Sequence, residues 1–304
     1  MKHVSTDGNV TDIKSLPIKL GITDIEIQRV LVQYADKSGR QLSTKLVLKN
    51  ASLTERRVLH RLQADSNSHS HVPFNHSLDQ HLEQFAWICM QDLGETFRPH
   101  SLAPITEDLQ RSEAEALADI HLRNLNANDL DWLPRANRDY FEWAIELHFF
   151  QPAWMKAKQN PDFIKTFGHH VARVDDAANS IVDEMSLLDD DRSARTLVHT
   201  DINPSNVLIL DDAPKIIDWG TARVGTYYLD VPHHFSTIEQ AELYRIALSQ
   251  RGHRIPSSAF EESYRVTARY IALRYIWWTL EEWQKDHSLE PWVNHYLDMI
   301  SANS

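Results

Sequence analysis

Glycine is scarce in this chain of 304 residues: the eight present stand at 8, 21, 39, 94, 168, 220, 225 and 252. None of them forms a G-x-G, which removes the dinucleotide-binding fingerprint, and the G-x-x-x-x-G-K-[ST] phosphate loop is missing as well. Cysteine is scarcer still. Cys89 stands alone, so there is neither an internal disulfide nor a cysteine-built zinc site. The longest strongly apolar stretches run about six residues, far short of the roughly 20 that span a bilayer. The N-terminal stretch MKHVSTDGNV lacks the apolar core of a signal peptide. These absences predict a soluble, cytoplasmic protein without a membrane partner.

Positive charge is also short. Lys and Arg number 31 against 43 Asp and Glu, a formal net charge of −12. So acidic a surface repels phosphate backbones, which argues against nucleic acid as a partner and favours cationic ligands. With 42% hydrophobic and 24% charged residues, the chain has the composition of a folded protein and the length to bury a sizeable core.

Two regions of different character follow. Apolar residues at mostly two-residue spacing (Ile25, Ile27, Val30, Val32, Tyr34) and the run Thr44-Lys-Leu-Val-Leu-Lys49 flank the polar turn Ala35–Arg40, the pattern of an antiparallel hairpin. The Arg29–Val30 step breaks the phase. Ser52-Leu-Thr-Glu55 is a capping box opening a short helix with Leu53, Val58, Leu59 and Leu62 on one stripe. Residues 65–81 are polar and rich in histidine, and Phe85–Met90 is an apolar run of strand length. Beyond Gly94, helical spacing predicts helices over about 106–124, 137–158, 161–187, 236–250, 258–285 and 290–301, around a β-like island at 196–218. The expectation is an α+β chain: an N-terminal lobe, 1–91, with a small antiparallel sheet, and a mainly helical lobe, 92–304. Ligands tend to bind where two lobes meet.

The chemistry concentrates in the island. Leu197-Val-His-Thr-Asp-Ile-Asn-Pro-Ser-Asn206 is followed by Ile216-Ile-Asp-Trp-Gly220. A strand–turn–strand between Asn206 and Asp218, turning at Asp211–Pro214, brings those two side by side. Two hard-oxygen ligands suit Mg²⁺, which takes few protein ligands and fills its shell from phosphate and water. Asp201 would stand beyond the metals, where a carboxylate can accept the proton of a hydroxyl.

H-x-D-x-x-x-x-N followed by I-D-W-G resembles the catalytic loop and metal-binding triplet of the protein-kinase-like superfamily. The segment Thr221–Asp230 is similar to the aminoglycoside phosphotransferase and choline kinase branch. The resemblance implies a two-lobed kinase-like fold and transfer of the γ-phosphoryl of ATP, with GTP as the rival nucleotide, to a hydroxyl of a small molecule. It makes Asp201 the catalytic base and Asn206 and Asp218 the Mg²⁺ ligands. Lys49, closing Leu46-Val-Leu-Lys, would grip the α and β phosphates, with Glu55 as its ion-pair partner, although Glu55 is also the third helical residue of the capping box. Gln91 and Leu93 would offer main-chain groups to the base of the nucleotide. Asp230 would brace the catalytic loop, and His199 would pack beneath it.

The departures from protein kinases are informative. Thr200 stands where regulated protein kinases carry arginine, Asn203 replaces the lysine that protein serine/threonine kinases place two residues after the base, and no A-P-E follows Asp218, so a peptide substrate is not expected. No glycine-rich loop covers the phosphates; Leu20–Asp24 offers the one candidate turn. The irregularly spaced His69, His71, His76 and His81 do not make a metal site, and the acidic residues Asp183, Glu184 and Asp189–Asp191 are read as a solvated face, with the rim of a cationic substrate site as the alternative. Tyr270, Tyr275, Trp277, Trp278 and Trp283 form a core stripe with one ring left for a cation. The acceptor implied is a cationic antibiotic of the aminoglycoside type, which would make the chain an antibiotic-resistance enzyme. The alternatives are a metabolite alcohol (choline, a methylthio-sugar or a fructosamine) and a catalytically inactive nucleotide-binding module. Oligomeric state is not legible.

Overall fold

Alternating side chains build the N-terminal sheet. In the computed structural model, which describes residues 9–17, 26–64, 71–77, 83–100 and 102–303, β1 (Asn9–Leu16), β2 (Ile27–Ala35) and β3 (Gln41–Ser52) run antiparallel. They continue into β5 (Phe85–Gln91) and the short β4 (Asn75–Ser77), in the order β1-β2-β3-β5-β4. Val30, Val32 and Leu46 form the sheet's buried cluster, with Leu48 and Cys89 packed against it. The phase break at Arg29 has a physical reason. Arg29 shares the other face of β2 and reaches the segment after β5, where its Nε lies 3.0 Å from Asp92 Oδ2 and its Nη2 donates to the Gly94 carbonyl at 3.1 Å.

The β2–β3 turn closes on Asp36, whose Oδ1 accepts from the N–H of Ser38 (2.8 Å) and Arg40 (3.0 Å). Gly39 sits there at φ +80°, a conformation that glycine adopts without steric cost. At its other end β3 runs without a break into α1 (Leu53–Ala64). Ser52 Oγ accepts from the Glu55 N–H at 3.1 Å, as an N-cap should. Val58 and Leu59 are buried, and α1 packs on the single 3₁₀ turn Trp219–Thr221.

Chain contacts group the molecule into two units: Met1–Arg98 with Asn206–Thr221, and Pro99–Ser205 with Ala222–Ser304. The first unit thus takes in a piece of chain from far along the sequence. That piece is the hairpin of β7 (Val207–Leu210) and β8 (Ala213–Ile216). Its turn residues Asp211 and Asp212 both have positive φ, 51° and 60°, the two-residue turn whose twist matches paired strands. Arg98 and Ile209 anchor it through Arg98 N–H to Val207 O (2.9 Å) and Ile209 N–H to Thr96 O (2.7 Å).

The second unit is helical: α2 (Glu107–Arg123), α3 (Arg138–Glu142), α4 (Phe150–Lys158), α5 (Pro161–Phe167), α6 (Val171–Asp190), α7 (Ile238–Gln250), α8 (Ser257–Trp283) and α9 (Glu290–Ala302). The span expected as one helix over 137–158 is interrupted by a π-helical turn, Trp143–His148. The span 161–187 breaks at Gly168, where a 3₁₀ turn intervenes. The 27-residue α8 is the centre, packing on α9, α4, α6 and α7. A helix in that position buries residues around most of its circumference. Tyr270 and Trp283 of its aromatic stripe are fully buried, while Tyr275, Trp277 and Trp278 are half-buried.

One small ladder leads into the loop that carries His199 and Asp201: β6 (Arg195–Val198) pairs antiparallel with β9 (Arg223–Thr226). β9 is invisible as a strand in the sequence because its middle is Gly225, and that glycine is obligatory: a Cβ there would lie 2.9 Å from the Cβ of Ala136. The acidic run is corrected by the structure. Asp189 is buried, not solvated, because Arg135 Nη2 pairs with its Oδ2 at 2.6 Å and Arg195 donates to its carbonyl at 2.6 Å. Burial pushes the Asp189 carboxyl above its ordinary range, against the pull of Arg135. Among the described residues, no helix is long and apolar enough to cross a membrane.

Candidate active site

Lys49 lies near the end of β3, three residues before the strand becomes α1. Because strand and helix are continuous, six residues suffice to bring Glu55 back over the lysine. Lys49 Nζ donates to Glu55 Oε1 at 2.7 Å and to Asp218 Oδ1 at 2.9 Å. Lys49 and Glu55 are almost completely buried, whereas the Asp218 side chain keeps a third of its surface. Burial pulls the lysine downward, yet the charges of Glu55 and then Asp218 outweigh it and raise Lys49 above its ordinary value. The ammonium group therefore stays charged. The two expected roles of Glu55 coexist: its N–H serves the helix cap while its carboxylate takes the lysine.

The β7–β8 hairpin delivers the rest of this cluster. Register pairs Val207 with Ile216, and the Ile217 N–H donates to the Asn206 carbonyl at 2.9 Å. Asn206 and the residue preceding Asp218 are thus locked together. Asp218 itself has φ +65°, a left-handed conformation that aspartate tolerates better than most residues. Lys49, Glu55, Asn206 and Asp218 belong to the first unit. Asn206 and Asp218 supply an amide and a carboxylate oxygen, a hard-oxygen donor pair that fits Mg²⁺ held jointly with phosphate. No group of three or more His, Cys, Asp or Glu side chains able to hold a metal occurs among the described residues. His71 serves instead through its carbonyl, which accepts from Ile216 N–H at 2.7 Å, and His76 packs edge-on to Phe74. His69, His81 and the Leu20–Asp24 turn lie outside the described residues.

Gln91 is the last residue of β5, opposite Leu46, and its N–H donates to the Phe74 carbonyl at 2.8 Å. Leu93 is buried, followed by Gly94 at φ +80° and held next to the Arg29 contacts already described.

Asp201 belongs to the second unit, on the loop leaving β6. The loop is pinned from below by Asp230, which is fully buried. Its Oδ2 accepts from the His199 N–H (2.7 Å) and its Oδ1 from the Thr200 N–H (2.8 Å). His121 Nε2 lies 3.2 Å from the same carboxylate, within hydrogen-bond reach, and His121 Nδ1 shares a 2.8 Å hydrogen bond with the Tyr244 hydroxyl. Burial alone would raise Asp230. The His121 hydrogen bond and the charges and N–H groups around it win, holding the carboxyl below its ordinary value. Thr200 is left-handed, φ +66°, a strained conformation for a β-branched residue that persists only where surroundings enforce it. His199 is fully buried, and its Nδ1 accepts from the Asp201 N–H at 3.3 Å.

Helix α8 supplies two contacts that sequence reasoning missed. The Arg274 guanidinium donates to the Thr200 carbonyl, and the Tyr275 hydroxyl donates to Asp201 Oδ1. An aromatic group surrounds Arg274, with Tyr140, Phe149 and Tyr275 rings 5.8, 5.6 and 5.1 Å from it. Phe149 continues onto Trp277 (5.5 Å) and Trp143, which stacks on His148 at 4.5 Å. Trp143 and Leu147, on the π-helical turn, are exposed.

The fold is that of the protein-kinase-like phosphotransferases. The family model described as the phosphotransferase enzyme family matches residues 30–270, and the chain belongs to that family. Among solved structures, spectinomycin phosphotransferase in complex with ADP and spectinomycin is 14% identical with a TM-score of 0.61, over 97% of this chain and 95% of that one. A choline kinase from Streptococcus pneumoniae is 13% identical with a TM-score of 0.56, over 97% and 94% of the two chains. An aminoglycoside phosphotransferase is 18% identical with a TM-score of 0.57, over 97% and 95%. These structures share the fold. No curated protein sequence matches the chain.

Proposed function

We propose that the protein is a cytoplasmic small-molecule kinase that moves the γ-phosphoryl of ATP to an alcohol of a cationic acceptor. The observation that carries this is the buried Lys49, held charged between Glu55 and Asp218, in a chain whose family transfers phosphoryl groups. Lys49 would bind the α and β phosphates, and main-chain groups of Gln91 and Leu93 the base. Asn206 and Asp218 would hold Mg²⁺, which when bound neutralises charge developing on the phosphates. The acceptor oxygen forms its bond to the γ-phosphorus as the bond from that phosphorus to the β–γ bridging oxygen breaks and ADP leaves. Asp201 takes the hydroxyl proton, so no free alkoxide is needed.

A cationic acceptor is favoured by the net charge of −12 and by the rings grouped around Trp143, Phe149 and Trp277. Aromatic faces attract ammonium groups by about 0.5–2 kcal/mol. The similar solved structures are a spectinomycin phosphotransferase, an aminoglycoside phosphotransferase with hygromycin B, and a choline kinase, so a drug-modifying enzyme and a choline-type metabolite kinase stand as the two acceptor classes. ADP release from MgATP, and from MgGTP, measured with spectinomycin, hygromycin B and choline, tests the proposal. Stoichiometric ADP with a product heavier by one phosphoryl group is expected for a cationic alcohol. Turnover only of neutral alcohols would remove the cationic acceptor, and absence of nucleotide binding would remove the kinase.

A further inference from the structure

We propose that Tyr275 is a positioning residue for Asp201, with its α8 neighbour Arg274 fixing the loop that carries that carboxylate. The inference rests on Asp201 being the base. Two consecutive side chains of one helix address two consecutive residues of the loop: Arg274 the Thr200 carbonyl, Tyr275 the Asp201 Oδ1. Adjacent positions on a helix point about 100° apart, so both can contact the same strand end only where it crosses the helix.

The crossing is fixed from both sides. Asp230 takes the N–H groups of His199 and Thr200, and Arg274 takes the carbonyl of Thr200. The strained Thr200 peptide is therefore held at both its ends, and that fixes the direction in which Asp201 leaves the backbone. Tyr275 then fixes the side chain. Its own ring is seated against His233, ring centres 4.4 Å apart, and against the Arg274 guanidinium at 5.1 Å.

Tyr275 donates at any working pH. Burial pushes its phenol well above the ordinary tyrosine range; Arg274 opposes this and Asp201 adds to it. The titratable or charged groups facing the pair are Arg274, Tyr140, His233 and, behind the loop, His199 over Asp230. A neutral donor that never loses its proton holds the Asp201 carboxyl oxygen in one rotamer, and proton acceptance in the transfer step needs that orientation.

The test is Tyr275→Phe, which removes one oxygen and keeps the ring packing. Asp201→Asn serves as the control for the base. ADP release, to whichever of spectinomycin, hygromycin B and choline is turned over, should fall about 10-fold or more in kcat in Tyr275→Phe, with KM for MgATP unchanged. A purely structural role would move kcat and KM together, or neither. If Asp201→Asn abolishes transfer while Tyr275→Phe keeps kcat, or changes kcat and KM together, the positioning role is overturned and the base survives. If Asp201→Asn keeps its activity, both fall.

Discussion

Replacing Lys49 by methionine should destabilise the protein, and by an amount that depends on pH. The substitution keeps an unbranched chain of similar length in the buried slot and removes the ammonium that faces Glu55 Oε1 at 2.7 Å. Glu55 retains only 2% of its surface, so its carboxylate would be left in a poorly solvated site. Removing one member of a buried pair costs about 3–5 kcal/mol where the other must stay charged. Glu55 has a cheaper exit, which is to take up a proton. From pH 7 to an ordinary glutamate value of about 4.3 that costs about 3.7 kcal/mol, at 1.36 kcal/mol per unit. At pH 5.5 the same exit costs about 1.6 kcal/mol. Asp218 adds less, since water reaches a third of its side chain. Urea unfolding followed by tryptophan fluorescence should thus give a loss of about 2–4 kcal/mol at pH 7, shrinking to about 1–2 at pH 5.5. Adding Glu55→Gln should recover at least half of the loss at pH 7. Equal losses at the two pH values, or no recovery in the double variant, would refute a charge held by Glu55.

Three further outcomes follow from the same geometry. Asp218→Ala should keep the fold but weaken MgADP binding and abolish its dependence on Mg²⁺ in calorimetric titrations; an unchanged Mg²⁺ dependence would remove Asp218 from the metal. Asp230→Asn should cost about 3–5 kcal/mol at pH 7, because an amide cannot accept from the His199 and Thr200 N–H groups and His121 together. Since Asp230 is held below its ordinary value, its contribution is present above about pH 4 and lost as pH falls through the depressed value. The wild-type advantage in urea should therefore vanish in strong acid, and a pH-independent difference would contradict this. For a cationic acceptor, KM should rise between low and physiological salt, where charge attraction is screened over about 8–10 Å, with kcat little changed.

Most elements were legible because their signals are local. The capping box at Ser52, the two-residue period of β2 and the helical stripes of α2, α7, α8 and α9 need no distant partner to be seen. The β7–β8 hairpin between Asn206 and Asp218 was legible for the same reason: two apolar runs flank a polar turn. What escaped depends on tertiary placement. β9 is four residues long with a glycine inside it, and its identity as a strand comes from pairing with β6. Asp189 reads as part of a polar run, since nothing in the sequence shows that Arg135, 54 residues earlier, will meet it. Arg274 and Tyr275 carry no motif and are 74 residues from the loop they contact. A charged residue amid the apolar stretch of α8 and a histidine in the apolar run of α2 were the two hints.

Whether Asp201 is the base of a phosphotransferase is tested most directly by Asp201→Asn measured for binding and turnover together. MgADP affinity by calorimetry should be unchanged, because Lys49, Asn206 and Asp218 are intact. Turnover at saturating MgATP and acceptor should fall about 10²–10⁴-fold, the range general base catalysis supplies. A variant that binds MgADP as the wild type does and keeps more than about a tenth of its turnover would contradict the account.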